Sequence, residues 1–142
     1  MRAKFAVAVH IFLVKNGEVL LLRRYNTGYE DGKYSVVAGH IDGAETVRQA
    51  SSREAEEEVG IHINPQDLRV VEIMHRKSED ERVDFFLEAQ KWSGELKNRE
   101  PDKCDQVAWF PLDELPENTI PYIKRALSNY RQGIWFEEYG WE

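Results

Sequence analysis

A helical segment at residues 44–59 constrains the fold most, because it carries acidic side chains on its apolar face. Successive residues of a helix are about 100° apart. The apolar residues that this spacing groups on one arc are Val47, Ala50, Ala55 and Val59. Glu54 and Glu58 fall inside that arc, Glu57 lies at its border, and Glu56 points the opposite way. We therefore expect a helix that turns carboxylates as well as apolar groups toward the core.

Residues at both ends of this segment have the character of helix caps. Asp42 is followed three residues later by Glu45, which predicts a capping box at the start of the helix. Gly60 stands where the helical pattern stops, and glycine is the commonest residue just beyond a helix end. The helix is therefore predicted to start near Ala44 and to end before Gly60.

Glu54, Glu57 and Glu58 are spaced to bring their carboxylates together. Buried like charges repel one another and lose hydration, so they need a counterion. A divalent cation meets that need, because Mg²⁺ and Mn²⁺ both take carboxylate oxygens as ligands. Arg53 can pair with Glu57 or reach back to Glu45. The competing interpretation is a solvated acidic face with an ordinary surface ion pair, and the position of Glu54 and Glu58 on the apolar arc opposes it.

The rest of the chain alternates strand-like segments with one further helix. Residues 5–14 and 19–24 flank the turn signal Asn16-Gly17 and predict a hairpin. Further strand-like segments are residues 34–38, 68–74, 83–92 and 107–110. Residues 39–43 form a glycine-punctuated connection, and an amphipathic helix follows Pro121. This order predicts an α/β (α+β) sandwich with a mixed sheet, in one domain over residues 1–142.

Composition excludes several classes of function. The chain has 142 residues, and 26 acidic against 19 basic side chains give it a net charge of −7. Duplex nucleic acid is a poor partner for such a chain, because binding it requires a basic surface. No apolar run approaches the roughly 18 residues of a membrane span, and residues 2–14 lack the features of a secretory signal. We expect a cytoplasmic protein whose lone Cys104 forms no disulfide. The aromatic tail at residues 134–141 is expected to dock on the body or on a second subunit of a homodimer.

A longer pattern contains the acidic helix. Gly39 is followed after five residues by Glu45, and after seven more by Arg53-Glu54-Ala55-Glu56-Glu57-Glu58-Val59-Gly60-Ile61. This pattern, residues 39–61, resembles the signature of the Nudix hydrolases, with Ala55 small for its position. The resemblance implies an α/β/α sandwich with a mixed sheet and a loop–helix–loop metal site. It also implies divalent-metal-dependent hydrolysis of a nucleoside diphosphate linked to another group.

The resemblance also implies roles for individual residues. Glu54, Glu57, Glu58 and the carbonyl group of Gly39 become metal ligands, while Arg53 and Glu45 become an orienting pair. Glu57 and Glu58 are the first candidates for the general base. An acidic residue from a later loop assists in some members, and here Glu100 is the best placed, with Asp102 as the alternate.

Substrate-binding residues are expected outside the signature. Arg23 and Arg24 end the second predicted strand and are candidate phosphate partners, and strand alternation predicts that only one of them faces the site. Phe86 or Trp109 could stack on a base that Asn118 or His10 would read, although such aromatics are more often core residues. Residues 38–42, 100–104 and 109–116 resemble the branch of MutT-type nucleoside triphosphate diphosphatases.

The leading expectation for the reaction is hydrolysis of a nucleoside or deoxynucleoside triphosphate, damaged ones included, to the monophosphate and pyrophosphate. The alternatives are a nucleotide sugar, a dinucleotide, a capped RNA end or a non-nucleotide diphosphate. A non-catalytic nucleotide sensor is a further alternative, which the complete set of carboxylates in the signature disfavours.

Overall fold

The turn between the first two strands forms as its sequence predicts. A computed structural model describes residues 1–142. Asn16 and Gly17 adopt positive φ angles of 54° and 76°, a conformation that both residues tolerate and that suits a tight hairpin. The strands that they connect are β1 (Ala6–Lys15) and β2 (Glu18–Arg24), which pair antiparallel.

Six further strands and two helices complete the fold. The strands are β3 (Tyr34–Ser35), β4 (Val37–His40), β5 (Arg69–Lys77), β6 (Glu81–Ala89), β7 (Cys104–Pro111) and β8 (Phe136–Tyr139). The helices are α1 (Val47–Val59) and α2 (Pro121–Gln132), and a short 3-10 turn covers Pro65–Asp67. The strand order is β3-β2-β1-β6-β5-β8, with β4 also paired to β1 and β7 to β2. Strand β1 runs parallel to β6, and β8 runs parallel to β5, whereas the other pairs are antiparallel, so the predicted mixed sheet is confirmed.

Alternation along β1 divides the core into two layers. Val9, Ile11 and Leu13 point to one face of the sheet, where α1 contributes Ala50, Ala55 and Val59. The intervening Phe12 points to the other face, where it packs with Phe86 of β6 and with Ile123 and Leu127 of α2. One helix thus covers each face, which gives the α/β/α sandwich.

The start of α1 differs from its prediction. Thr46 is the N-cap residue, its hydroxyl accepts from the Gln49 N–H at 3.1 Å, and the Gln49 side chain accepts from the Thr46 N–H at 2.9 Å. The capping box predicted for Asp42 and Glu45 is therefore wrong, because Thr46 and Gln49 form a box of the same type closer to the helix. Gly60 ends the helix at φ 74°, as predicted.

The strand predicted at residues 34–38 forms as two separate strands. Strand β3 pairs with β2, whereas β4 pairs with β1, so the chain crosses between neighbouring strands at Val36. Gly39 and His40 belong to β4 and not to the predicted connection. Consequently Gly39 is held at a definite position opposite Val9 of β1.

The aromatic tail docks on the body, as one of its two predicted alternatives states. Strand β8 lies parallel to β5, and the Trp141 indole N–H donates to the His75 carbonyl group at 3.0 Å. Trp135 and Phe136 stay exposed beside this strand, and a homodimer stays a prediction. Neither helix has the length and apolar composition needed to cross a membrane.

Candidate active site

The carboxylates of Glu54 and Glu58 lie where α1 packs on β4. The Ala38 N–H donates to Glu58 Oε1 at 3.4 Å. A Cβ atom at Gly39 would lie 2.0 Å from Glu54 Oε2, well inside van der Waals contact. Only glycine therefore lets the carboxylate of Glu54 approach the backbone of β4 this closely.

Burial and mutual repulsion disfavour the charged forms of these two carboxylates. The pKa of Glu58 is raised well above its ordinary value by burial, by its contact with the carboxyl group of Glu54 and by the charge of Glu100. Burial also raises the pKa of Glu54. The pair thus holds a proton more tightly than two solvated glutamates do, and a cation can take the place of that proton.

Arg53 connects this pair to the rim of the site. Its guanidinium donates to Glu45 at 2.7 and 3.1 Å, to Glu54 at 3.0 Å and to Glu57 at 3.0 Å, and to the His40 carbonyl group at 3.2 Å. These contacts raise the pKa of Arg53, and the hydrogen bonds from Arg53 lower the pKa of Glu45. The structure therefore brings Arg53 and Glu45 together, and Arg53 contacts Glu57 at the same time.

The signature residues open into one cleft of about 1130 Å³. Gly39, Glu54, Glu57, Glu58 and Glu100 all border this cleft. Glu57 is exposed at the rim, whereas Glu56 lies on the solvent face of α1, as the helical arc predicts. Asp102, the alternate to Glu100, is exposed and does not border the cleft.

The donor set fits a hard divalent cation. Carboxylate oxygens of Glu54 and Glu58 meet beside the bare backbone of Gly39, and Glu100 approaches from another loop. No three carboxylate, imidazole or thiol groups lie close enough together to hold a metal ion in the present arrangement. One carboxylate oxygen of Glu54 and one of Glu57 accept hydrogen bonds from Arg53 instead. A bound cation would therefore draw these two side chains partly away from Arg53.

Both arginines at the end of β2 border the cleft, so the prediction that only one faces it is wrong. The register with β7 shifts between Arg23 and Arg24, and such a bulge interrupts the alternation of a strand. Arg23 Nε donates to Asp105 at 2.8 Å, and Arg24 Nη2 donates to Thr27 at 3.0 Å.

Of the four residues expected to contact a base, His10 borders the cleft, whereas Phe86, Trp109 and Asn118 lie elsewhere. Phe86 is fully buried against Phe12 on the α2 face, because alternation along β6 turns it into the core. Trp109 stacks on Trp92 with ring centroids 6.2 Å apart, beside a separate surface groove. Asn118 donates to the Gly32 carbonyl group at 2.8 Å and holds a loop, without bordering the cleft. These three predictions are wrong.

Three residues at the far end of the cleft were not predicted from the sequence, Arg76, Asp84 and Tyr122, and they surround His10, which was expected to read a base. Arg76 and its partner Asp84 are buried on β5 and β6, next to His10 of β1 and Tyr122 of α2. In the sequence, Arg76 stands between His75 and Lys77 and reads as a solvated strand end. Asp84 could have indicated this group, because a carboxylate within the apolar segment 83–87 suggests a buried charge that needs a partner.

The fold and the acidic site together define the class. The sequence profile of the NUDIX domain matches residues 4–130, so the chain belongs to the Nudix hydrolase family, whose members act on phosphoric anhydride bonds. Nudix hydrolases generally require a divalent metal ion, which agrees with the donor set described above.

Individual relatives point to the MutT-type branch. The chain is 29% identical over 125 residues to the 8-oxo-dGTP diphosphatase of Escherichia coli (strain K12), covering 86% of this chain and 95% of the relative. It is 30% identical over 132 residues to the human 8-oxo-dGDP phosphatase NUDT18, covering 89% of this chain and 39% of the relative. The crystal structure of a MutT NUDIX hydrolase from Burkholderia pseudomallei superposes with a TM-score of 0.81 at 28% identity, covering 89% of this chain and 98% of that one.

Other relatives are named for a different activity. An NAD-capped RNA hydrolase of Stutzerimonas stutzeri (strain A1501) is 31% identical over 109 residues, covering 75% of this chain. The chain spans 37% of that protein and 39% of the human relative, so it corresponds to a part of each.

Proposed function

We propose that this protein hydrolyses a nucleoside or deoxynucleoside triphosphate, damaged ones included, to the monophosphate and pyrophosphate, with Mg²⁺ or Mn²⁺. The observation that carries the proposal is the half-buried pair Glu54 and Glu58 beside Gly39, which borders a cleft of about 1130 Å³. The relative from Escherichia coli, named as an 8-oxo-dGTP diphosphatase, supports the substrate class.

The ligands proposed for the cation are the carbonyl oxygen of Gly39 and the carboxylates of Glu54, Glu57, Glu58 and Glu100. A bound divalent cation neutralises phosphate oxygens and lowers the pKa of water. Arg53 keeps Glu54 and Glu57 on the cleft side of α1, and Glu45 fixes the guanidinium through two hydrogen bonds. Arg53 and Glu45 are therefore proposed as positioning residues.

Glu57 and Glu58 are proposed to accept the proton of the attacking water. The Glu58 carboxyl group borders the cleft beside Glu54 and Gly39, so a water molecule bound to the cation would lie within its reach. Glu57 is exposed at the rim and can release a proton to solvent. The leaving pyrophosphate carries several negative charges, and Arg23 and Arg24 are proposed to bind the phosphates because both border the cleft.

A substrate panel tests the reaction. We would incubate the protein and Mg²⁺ with the common nucleoside triphosphates, 8-oxo-dGTP, ADP-ribose and a dinucleotide, and measure orthophosphate, pyrophosphate and nucleoside monophosphate separately. We expect equal amounts of monophosphate and pyrophosphate from at least one triphosphate. Release of orthophosphate alone, or hydrolysis of ADP-ribose without any triphosphate, would replace the proposed reaction with another.

A second candidate substrate is a dinucleotide or a capped RNA end, which the relative from Stutzerimonas stutzeri favours. The dinucleotide in the panel distinguishes it, because that reaction yields two monophosphates and no pyrophosphate. A sensor without activity is disfavoured by the full set of glutamates in residues 39–61. We also propose that residues 1–142 act as one domain, since the two core layers share a single sheet.

A further inference from the structure

The cleft ends opposite the glutamates at a buried arginine. Arg76 is 5% exposed, and its Nε donates to Asp84 Oδ2 at 2.7 Å. Its guanidinium carbon lies 3.6 Å from the ring centroid of Tyr122, so the planar group stacks on the phenol. The two terminal nitrogens make no hydrogen bond within the protein, and Arg76 borders the cleft. A held guanidinium thus offers free donors to whatever occupies this end.

The groups beneath Arg76 are themselves held by hydrogen bonds. His10 Nδ1 lies 3.4 Å from the Phe85 carbonyl oxygen, which can only accept, so Nδ1 carries the hydrogen. Nε2 then accepts from the Tyr122 hydroxyl at 3.0 Å. Burial lowers the pKa of His10 to about 4, helped by the charges of Arg76 and Arg82 and opposed by Asp84. His10 is therefore neutral, and Tyr122 is fixed as a platform for Arg76.

The charges at this end oppose an anionic ligand. Asp84 neutralises Arg76, and Asp80 neutralises Arg82 at 3.2 Å, while Glu79 adds an acid at the rim. With two cations against three acids, a phosphate or carboxylate gains little here. A neutral group with hydrogen-bond acceptors suits the free nitrogens of Arg76 better, because arginine only donates.

The two ends of the cleft lie far enough apart for a nucleotide. Gly39 is in register with Val9 of β1, Phe85 of β6 and Ile73 of β5, and Arg76 lies three residues beyond Ile73. Three strand separations of about 14 Å and three residues of about 10 Å along the strand combine to about 17 Å, a distance that a nucleotide and the long side chain of Arg76 can span together. A substrate whose phosphates lie at Glu54 and Glu58 would therefore place its base toward Arg76.

We propose that Arg76 determines base specificity by donating hydrogen bonds to the carbonyl oxygen of a keto base, which favours guanine and uracil over adenine and cytosine. Asp84 and Tyr122 act as positioning residues that hold the guanidinium plane. An arginine pairs well with the O6 and N7 acceptors of guanine, whereas adenine and cytosine present an amino group there. The proposal rests on the proposed nucleotide substrate and adds which base the site accepts.

The test measures binding of reaction products, so it does not require turnover. We would determine Kd values for GMP, AMP, UMP and CMP in the presence of Mg²⁺, for the wild type and for Arg76→Lys. A bidentate base contact discriminates by about 5- to 150-fold, so we expect GMP to bind wild type at least about fivefold more tightly than AMP. UMP should likewise bind the wild type more tightly than CMP. The Arg76→Lys variant should lose most of both preferences, since lysine lacks the planar guanidinium group.

Arg69→Lys is the matched control. Arg69 also lies on β5 and also pairs with an acid of β6, Glu88 at 3.0 Å, but it is 71% exposed and does not border the cleft. The Arg69→Lys variant should show the same base preferences as the wild type. Equal Kd values for GMP and AMP in the wild type, tighter binding of AMP, or a preference that persists in Arg76→Lys would each overturn the proposal.

A second measurement uses the wild type alone and covers the case in which Arg76→Lys fails to fold. Inosine monophosphate keeps O6 and N7, whereas purine riboside monophosphate lacks O6. We expect inosine monophosphate to bind about fivefold or more tightly, and equal binding would refute the role of Arg76. If the substrate panel shows no triphosphate hydrolysis while these preferences hold, only the proposed reaction fails. Hydrolysis without any base preference would refute the Arg76 proposal alone.

Discussion

The two ends of the cleft differ in how their charged side chains are paired. At the acidic end, the carboxyl groups of Glu54 and Glu58 contact each other, and Arg53 donates a hydrogen bond to Glu54. At the arginine end, Arg76 and Asp84 form a buried ion pair that the ring of Tyr122 covers. The acidic end therefore has an excess of negative charge, whereas at the other end Arg76 and Asp84 neutralise each other and only the terminal nitrogens of Arg76 lack acceptors. This difference suggests that a cation with phosphates occupies the first end and an uncharged polar group the second.

The largest expected effect concerns the acidic end alone. Replacing Glu58 by Gln should lower turnover by about 100- to 10,000-fold, because a cation ligand and a proton acceptor are lost together. Stability should change little, because burial already disfavours the charged form of Glu58. Steady-state pyrophosphate release and chemical unfolding measure the two quantities. Glu57→Gln should also abolish turnover.

Glu56→Gln is the control for both glutamate variants, since Glu56 lies on the solvent face of α1. It should retain wild-type activity. Unchanged turnover of both Glu57→Gln and Glu58→Gln at saturating Mg²⁺ would show that the acidic end is not where the chemistry occurs.

The next effect tests whether Arg53 acts by positioning. Arg53→Lys keeps the charge but cannot contact Glu45, Glu54 and Glu57 at once, and losing a partner of metal ligands lowers activity or metal affinity by about 10- to 100-fold. We expect a higher Mg²⁺ concentration for half-maximal activity, measured by metal titration. Arg48→Lys, on the same helix but bonded to the Leu68 carbonyl group at 2.8 Å, should leave that concentration unchanged. Equal titrations for both variants would assign Arg53 no positioning role.

The arginine end should make stability depend on pH. The unfolded chain protonates His10 near its ordinary pKa, about 6.5, whereas the folded chain does so only near pH 4. The contribution of neutral His10 to the free energy of unfolding is therefore largest above pH 6.5, and it is lost as the pH falls toward 4. Between pH 6.5 and 5 the loss due to His10 is about 2 kcal/mol. Urea unfolding of wild type and His10→Gln at both pH values measures it as a difference.

His62→Gln serves as the control for that experiment because His62 is exposed. Its stability should follow the wild-type pH dependence. A wild-type slope that His10→Gln does not reduce would mean that His10 is protonated in the folded protein, and that the arginine end is not neutral.

The smallest effect is the response of stability to the cation. A ligand that binds only the folded state at ten times its Kd stabilises by about 1.4 kcal/mol. We expect Mg²⁺ to raise the unfolding temperature of the wild type and EDTA to reverse the increase. Glu58→Gln should lose this response, whereas Arg76→Lys should keep it because Arg76 lies at the other end. Equal loss in both variants would mean that the two ends are not independent.

Much of the acidic end could be predicted because its residues are local in the sequence. Spacing along one helix placed Glu54 and Glu58 inward and Glu56 outward, and Gly60 marked the helix end. The N-cap prediction failed because two capping-box patterns follow one another in the sequence, and Thr46 with Gln49 forms the one adjacent to the helix. With the start at Val47, Glu45 stays outside the helix and is free to bind Arg53.

The prediction that Phe86 binds a base failed because it depends on which way a strand residue points. Phe86 belongs to the core because the pairing of β6 with β1 turns it toward α2. Arg23 and Arg24 both reach the cleft because of a bulge that no local pattern indicates.

The sequence by itself determined the helix with its carboxylates, the hairpin at Asn16 and Gly17, and the family, since these depend on residues within a few turns or on one continuous pattern. Only the tertiary structure decided that Arg76, Asp84, His10 and Tyr122 meet at one point. Their meeting requires β1, β6 and β5 to pair in one register and α2 to cover that face. Contacts between distant segments are decided by how the whole sheet assembles, so the arginine end could not be predicted from the order of residues.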